Sequence, residues 1–248
     1  DQGVFKFWRL NQAKVDQSEE ESLLASLAGI SGRGWIDSFR LDSTGARRPC
    51  LAPNCGGYTL EGLLGVKPNG YAEPDFLGFE IKQFGVKSLE SWSNKAITLM
   101  TPEPTGGIYQ SQGVEVFLRN YGYPDTSGKP NRINFSSPHH YGQLNEKTNL
   151  TIAVDGFDAK DGEVRNPTGA IVLLDNRDNI AAEWSFSSLM QHWNRKHAKA
   201  AYIPSINRNS PTRQYRFGNE ILLCKGTSFP HFLKAFTSSK IVYDPGTK

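Results

Sequence analysis

Apolar residues recur at helical spacing in five stretches. Ser18 followed by Glu19, Glu20 and Glu21 is an N-cap and acidic first turn, Leu23, Leu24 and Leu27 supply a buried face, and Gly29 is the expected stop. Thr59 to Leu64 predicts a short helix capped by Thr59, and Gly113 to Tyr121 and Phe229 to Phe236 predict two more. Ser185 to His197 is amphipathic, with Arg195, Lys196 and His197 at its polar end. Strand patterns cover Trp35 to Leu41, Ala96 to Thr101, Asn149 to Phe157, Ala170 to Leu174, Ile180 to Glu183, Ala200 to Ile206, Gln214 to Leu223 and Ile241 to Tyr243. Asp75 to Phe84 reads as a hairpin turning near Gly78, and Asp42 to Gly57 as a loop.

That order mixes helices and strands without regular alternation, which disfavours a doubly wound dinucleotide fold. No glycine-rich phosphate loop and no internal repeat is present. With 38% hydrophobic and 21% charged residues in 248, the composition is globular, and disordered or collagen-like chains are excluded. No apolar run reaches the roughly 18 residues of a membrane span. Charge is unevenly placed: residues 184–248 carry ten basic and two acidic side chains, against 18 and 23 in residues 1–183. A polyanion-facing surface is therefore expected in the last quarter, and carboxylate chemistry earlier.

The earlier part holds one chemically pointed segment, Pro74-Asp75 followed by Glu80-Ile81-Lys82. Side chains alternate along a strand, so Glu80 and Lys82 share a face, and Asp75 can return across the turn to stand beside Glu80. Two converging carboxylates suit Mg²⁺, a hard cation that prefers oxygen. Lys82 is then placed to orient or deprotonate a water, or to offset developing negative charge. A surface ion pair on a hairpin would show the same residues, so the context decides.

Upstream, Gly56 to Gly65 places Glu61 on the short helix; downstream come Ile97 to Gly107, Leu118 to Gly122, Trp184 to Leu189 and the basic run His192 to His197. In this order, from about Trp35 to about Pro245, the segments resemble the MvaI/BcnI family of restriction endonucleases, relatives of the strand-nicking enzyme MutH. The resemblance implies an α/β restriction-endonuclease-like fold, a mixed central β-sheet flanked by helices. It matches Asp75, Glu80 and Lys82 to the family's catalytic residues, with Asp75 and Glu80 on Mg²⁺, and Glu61 to the extra helix-borne glutamate. It further implies a monomer cutting double-stranded DNA at short near-palindromic sites of the CCNGG type in a prokaryotic cytoplasm, with a cognate methyltransferase in the same system. A nicking enzyme and a non-cleaving DNA-binding module are the alternatives.

The resemblance sets residues 1–30 apart as an N-terminal segment, the edge of another domain, from a nuclease domain at 31–248. A chain that starts at Asp1 and stops at Lys248 is expected to be a piece lacking a C-terminal DNA-contacting segment. Phosphate contacts are expected from Arg195, Lys196, His197, Arg208, Arg213 and Arg216. Cys50, Cys55 and Cys224 are few and odd in number, which suits a secreted disulfide framework poorly and favours a reducing compartment; Cys50 and Cys55 are expected to be structural loop cysteines rather than part of a zinc site completed by His139 and His140. His139 and His140 lie in a Ser/Pro/Asn-rich loop, open to either solvation or DNA contact.

Overall fold

The computed structural model describes residues 4–9, 18–67, 75–92, 96–196 and 199–247. They form two compact units, Asp1–Leu99 with Arg195–Thr227, and Met100–Asn194 with Ser228–Lys248. No helix among the described residues is long and apolar enough to cross a membrane. The fold is mixed α/β, as expected.

The first unit is built on a six-stranded sheet ordered Val4–Arg9, Glu220–Lys225, Lys199–Arg208, Gln214–Phe217 and Ile36–Asp37, with Glu80–Gly85 also paired to Lys199–Arg208. The ten-residue strand Lys199–Arg208 is the hub. It pairs antiparallel with Glu220–Lys225 through Lys199–Tyr202 and with Gln214–Phe217 through Ser205–Arg208, and parallel with Glu80–Gly85 through Ala200–Ser205. Its buried run from Ala200 to Ser205 explains the choice, because a strand covered on both faces needs no alternation.

Helix Glu19–Ser31 opens with a capping box in which Ser18 Oγ accepts from Glu21 N and the Glu21 carboxylate accepts from Ser18 N. It runs past Gly29, because Ile30 still has a core to enter, and Leu23, Leu24, Leu27 and Ile30 pack with Ile81, Ile203, Ile221 and Leu223. Residues 1–30 thus contribute a helix and, at Val4–Arg9, a sheet strand to this unit.

Helix Cys55–Leu63 begins earlier than the sequence pattern suggests. Thr59 is not its cap but is wholly buried, with Oγ1 2.7 Å from the Cys55 carbonyl and accepting from Phe39 N at 3.2 Å. Against the reading of the cysteine set as unsuited to disulfides, Cys50 and Cys55 are bridged, their Cα atoms 5.7 Å apart. A count of cysteines cannot register such a pair, because the loop geometry that brings the two Cα atoms into bridging range is local. The loop itself is shorter than expected, since Arg47–Pro49 pairs with Phe39–Leu41. Ala96 to Thr101 is irregular rather than a strand; Ile97 and Leu99 pack on Ala200, Tyr202 and Cys224 instead of joining a ladder.

The second unit holds a four-stranded antiparallel sheet ordered Ile180–Ser185, Ala170–Leu174, Leu150–Asp155 and Leu144–Asn145. Helices Gly107–Gln112, Val114–Tyr121 and Phe229–Thr237 belong to it, as does most of Phe186–Lys196. Ile241 to Tyr243 contributes one bridge, Tyr243 to His139, not a strand. His139 is neither solvated nor exposed to DNA. It is fully buried, stacked on Phe135 at 5.4 Å, with its Nε2 2.9 Å from Thr148 Oγ1. Burial pushes its imidazole down to about 4, since a charged ring there would lose its water.

The unfolded imidazole titrates near 6.5, so between pH 6.5 and about 4 the unfolded chain binds the extra proton. The stability His139 supports is present above pH 6.5 and is lost as pH falls through that window, by up to about 3 kcal/mol. Urea melts from pH 7 to 4 should show this loss in the wild type. A His139→Phe variant, less stable at pH 7, should show a flatter dependence.

Candidate active site

The Asp75–Glu80 connection is a tight turn. Leu77 and Gly78 take positive φ of 49° and 73°, and Phe76 and Phe79 exchange backbone hydrogen bonds of 3.1 and 2.9 Å. Glycine relieves half of that strain, and the exposed Leu77 carries the rest. The turn brings Asp75 back so that its Oδ2 accepts from Ile81 N at 2.9 Å, one residue past Glu80. Of the hairpin expected over Asp75 to Phe84, the first arm is no strand but the single bridge Phe76–Phe79, and only Glu80–Gly85 is a strand; Pro74 lies outside the described residues.

Strand Glu80–Gly85 then runs parallel to Lys199–Arg208, with Glu80 opposite Ala200 and Lys82 opposite Tyr202. Alternation puts Glu80 and Lys82 on one face and Ile81 and Gln83 on the other. Lys82 Nζ stands 3.3 Å from Glu80 Oε1, and the Glu80 side chain is only 5% exposed against 31% for Lys82. The carboxylate is therefore interior and the ammonium sits at the edge of solvent. Tyr202 is held well above the usual phenol range by burial first, then by Cys224 and the Glu80 charge, so it stays protonated beside the pair. Burial likewise pushes the Cys224 thiol up to about 12, which leaves it a packing residue and no nucleophile.

Two carboxylates against one ammonium leave room for a cation, and their donors are all oxygen. Among the described residues no three His, Cys, Asp or Glu side chains converge on one point. Two carboxylates are an all-oxygen donor set, and a hard cation such as Mg²⁺ held by them would have to draw the rest of its shell from water and phosphate oxygens.

Glu61 is half-buried on helix Cys55–Leu63, which packs on the same strand through Gly56. A Cβ on Gly56 would lie 2.4 Å from Gln83 Oε1 and 3.0 Å from Tyr215 Cε1, so only glycine allows this approach. Gln83 is the residue that the motif reading passes over. Its Nε2 donates to Ser205 Oγ at 2.8 Å, tying the motif strand to its parallel partner. The available signal is a polar side chain two positions after the buried Ile81, on a face that is otherwise core.

The basic candidates separate. Arg208 is exposed, lies 4.4 Å over the Trp35 ring and donates Nε to Gln214 Oε1 at 2.7 Å. Arg216 is exposed on Gln214–Phe217, and its charge helps hold Glu90 below the ordinary range, after the Ser88 hydroxyl, which acts most strongly. Arg213 is half-buried and already bonded to Leu51 O, Ala52 O and Asn209 Oδ1. Arg195 and Lys196 end helix Phe186–Lys196; their side chains, and all of His197, lie outside the described residues.

The sequence matches the model of the MvaI/BcnI restriction endonuclease family over residues 24–248. No curated protein matches it. Among solved structures, the complex of restriction endonuclease MvaI with its cognate DNA substrate is similar at a TM-score of 0.62 and 17% identity, covering 94% of this chain and 92% of that one. MvaI in the absence of DNA is similar at a TM-score of 0.42 and 15% identity, covering 90% and 87%. At such identities the first likeness shows a shared fold.

The glycine pair at the start of the Glu61 helix offers a test of opposite signs. Either glycine changed to alanine gains up to about 1 kcal/mol of helix propensity. At Gly56 the added methyl must expel the Gln83 amide from Ser205, costing about 1–3 kcal/mol, whereas at Gly57 the nearest atom is Glu61 Oε1 at 3.8 Å. In urea unfolding, Gly56→Ala should destabilise and Gly57→Ala should stabilise or leave stability unchanged.

Proposed function

Because the chain belongs to the MvaI/BcnI restriction endonuclease family and is thereby a site-specific DNA endonuclease, we propose that it hydrolyses double-stranded DNA in a Mg²⁺-dependent reaction at Asp75, Glu80 and Lys82. The observation that carries this reading is the turn that sets the Asp75 carboxylate on Ile81 N, 2.9 Å away, beside a buried Glu80 whose Oε1 faces Lys82 Nζ at 3.3 Å. A pure DNA-binding module has no use for an interior carboxylate of this kind.

In the proposed mechanism Asp75 and Glu80 hold the ion, which supplies Lewis acidity at the scissile phosphate when bound. Lys82, at the solvent edge, directs the attacking water at phosphorus and either takes its proton or offsets the charge that grows on the phosphate. Glu61, whose helix packs on the Gln83 face of the strand, is given the role of orienting Lys82 or the water by family resemblance alone. Exposed Arg208 and Arg216, with Arg195, Lys196 and His197, are the proposed phosphate contacts. The near-palindromic CCNGG-type site, monomeric action, a partner methyltransferase and a prokaryotic cytoplasmic setting complete the proposal, and they rest on family resemblance.

Asp75→Asn keeps an oxygen acceptor for Ile81 N but removes a charge. It should fold, bind DNA in Ca²⁺ with near wild-type affinity, and lose roughly a thousandfold or more in single-turnover cleavage with Mg²⁺. Lys82→Ala should lose roughly 10²–10⁴-fold. A plasmid assay reads the outcome: linear product supports double-strand cleavage, accumulating nicked circles point to a nicking enzyme, and Mg²⁺-independent binding with no product to a binding module. Arg208→Ala should lower the slope of log affinity against log salt by about one across all sequences; an unchanged slope would place the phosphates elsewhere.

A further inference from the structure

We propose that Arg213 is a positioning residue of the nuclease site rather than a DNA contact: with the Cys50–Cys55 bridge it holds the loop that launches the Glu61 helix. This rests on the reading of Glu61 given above. Leu51, Ala52, Pro53 and Asn54 are all exposed, Leu51 at 78%, so hydrophobic packing does not hold this loop. Hydrogen bonds do. The Ser38 hydroxyl donates to Cys50 O at 2.7 Å, and Arg213 Nη1 donates to Leu51 O at 2.7 Å and to Ala52 O at 2.9 Å. Three successive carbonyls are thus engaged just before the helix begins. Arg213 is itself anchored, with Nε on Asn209 Oδ1 at 3.1 Å and its carbonyl accepting from Ser38 N at 2.8 Å. Three of its five N–H donors are used, which leaves only the Nη2 pair for any other partner.

The loop matters because the helix has no other strong start. Asn54 stands at its N-cap without a side-chain capping bond, and Gly56 and Gly57 form its first turn. From Cys55 to Glu61 is about 9 Å of helix, so a tilt of roughly 6° at the start moves Glu61 by about 1 Å. A displacement of that size at a reacting centre can cost on the order of 10²-fold.

The test separates this role from phosphate binding. Arg213→Ala should keep the wild-type salt slope for DNA binding in Ca²⁺, while its single-turnover rate at saturating DNA with Mg²⁺ falls roughly 10- to 100-fold. In a Glu61→Gln background the same change should add little, because the two act through one group. Arg213→Lys retains a point charge for a phosphate but not the planar fork, so it should be as slow as Arg213→Ala, and it covers the case in which the alanine variant does not fold. A Cys50→Ala/Cys55→Ala double variant should also be slow with an unchanged slope. A slope lowered by about one, a wild-type rate in Arg213→Lys, or effects of Arg213→Ala and Glu61→Gln that multiply independently would overturn the proposal. A wild-type rate in Glu61→Gln would overturn it through the role of Glu61, and full cleavage by Asp75→Asn would reject the assignment of the site to Asp75, Glu80 and Lys82; both are read with Arg213 intact.

Discussion

A carboxylate as deeply buried as that of Glu80 costs several kcal/mol to hold in a protein interior unless charge and hydrogen bonds compensate. Much of the first unit can be understood from that constraint. Lys82 sits two residues along the same strand, so the compensating ammonium shares its face by the geometry of an extended chain. Tyr202, across the parallel ladder, stays neutral and adds no second anion. Asp75 could have made the crowding worse, but the turn gives it a backbone donor of its own at Ile81. The result is a buried carboxylate with an ammonium on its own face and a second carboxylate bonded to the strand backbone.

The opposite face of the strand serves another purpose. Ile81 enters the core formed by Leu60, Ile203 and Ile221, and Gln83 reaches Ser205 while leaving a flat place for Gly56. One six-residue strand therefore displays chemistry on one side and receives the Glu61 helix on the other. This division explains how a helix with two early glycines is held against the strand. Its own backbone preferences are poor, and the bridge, the Arg213 clasp and the buried Thr59 offset them.

What could be read beforehand follows the same physics. Glu80 and Lys82 were readable as a pair because strand alternation is local, and the helices at Phe186–Lys196 and Phe229–Thr237 because their apolar faces repeat at helical spacing. The early start of the Glu61 helix was hidden, since a disulfide between loop residues and a buried Thr59 outweigh the glycines. Ala96 to Thr101 looked like a strand because it is a short apolar run closed by Pro102 and Pro104, yet such a run cannot tell a ladder from a segment laid over Ala200 and Tyr202. His139 looked polar in a polar loop; only the aromatic side chains of Phe135 and Tyr243, one of them distant in sequence, make it interior. Arg213 counted as a cation among cations until its partners, two carbonyls some 160 residues away, were visible.

The first unit is discontinuous, and that has a bearing on when the enzyme can become active. Glu80 and Lys82 belong to a strand whose ladder partner, from Ala200 to Ser205, lies about 120 residues further along the chain. Between them the chain passes through most of the second unit. A ribosome that has delivered every motif residue, from Glu61 to Lys82, has therefore delivered a strand with nothing to pair against. Synthesis must continue beyond Lys199 before the buried carboxylate has an interior to occupy. For a chain that cuts DNA, this topology ties the motif strand to synthesis past Lys199, and a product truncated before that point carries Glu80 and Lys82 without their ladder partner.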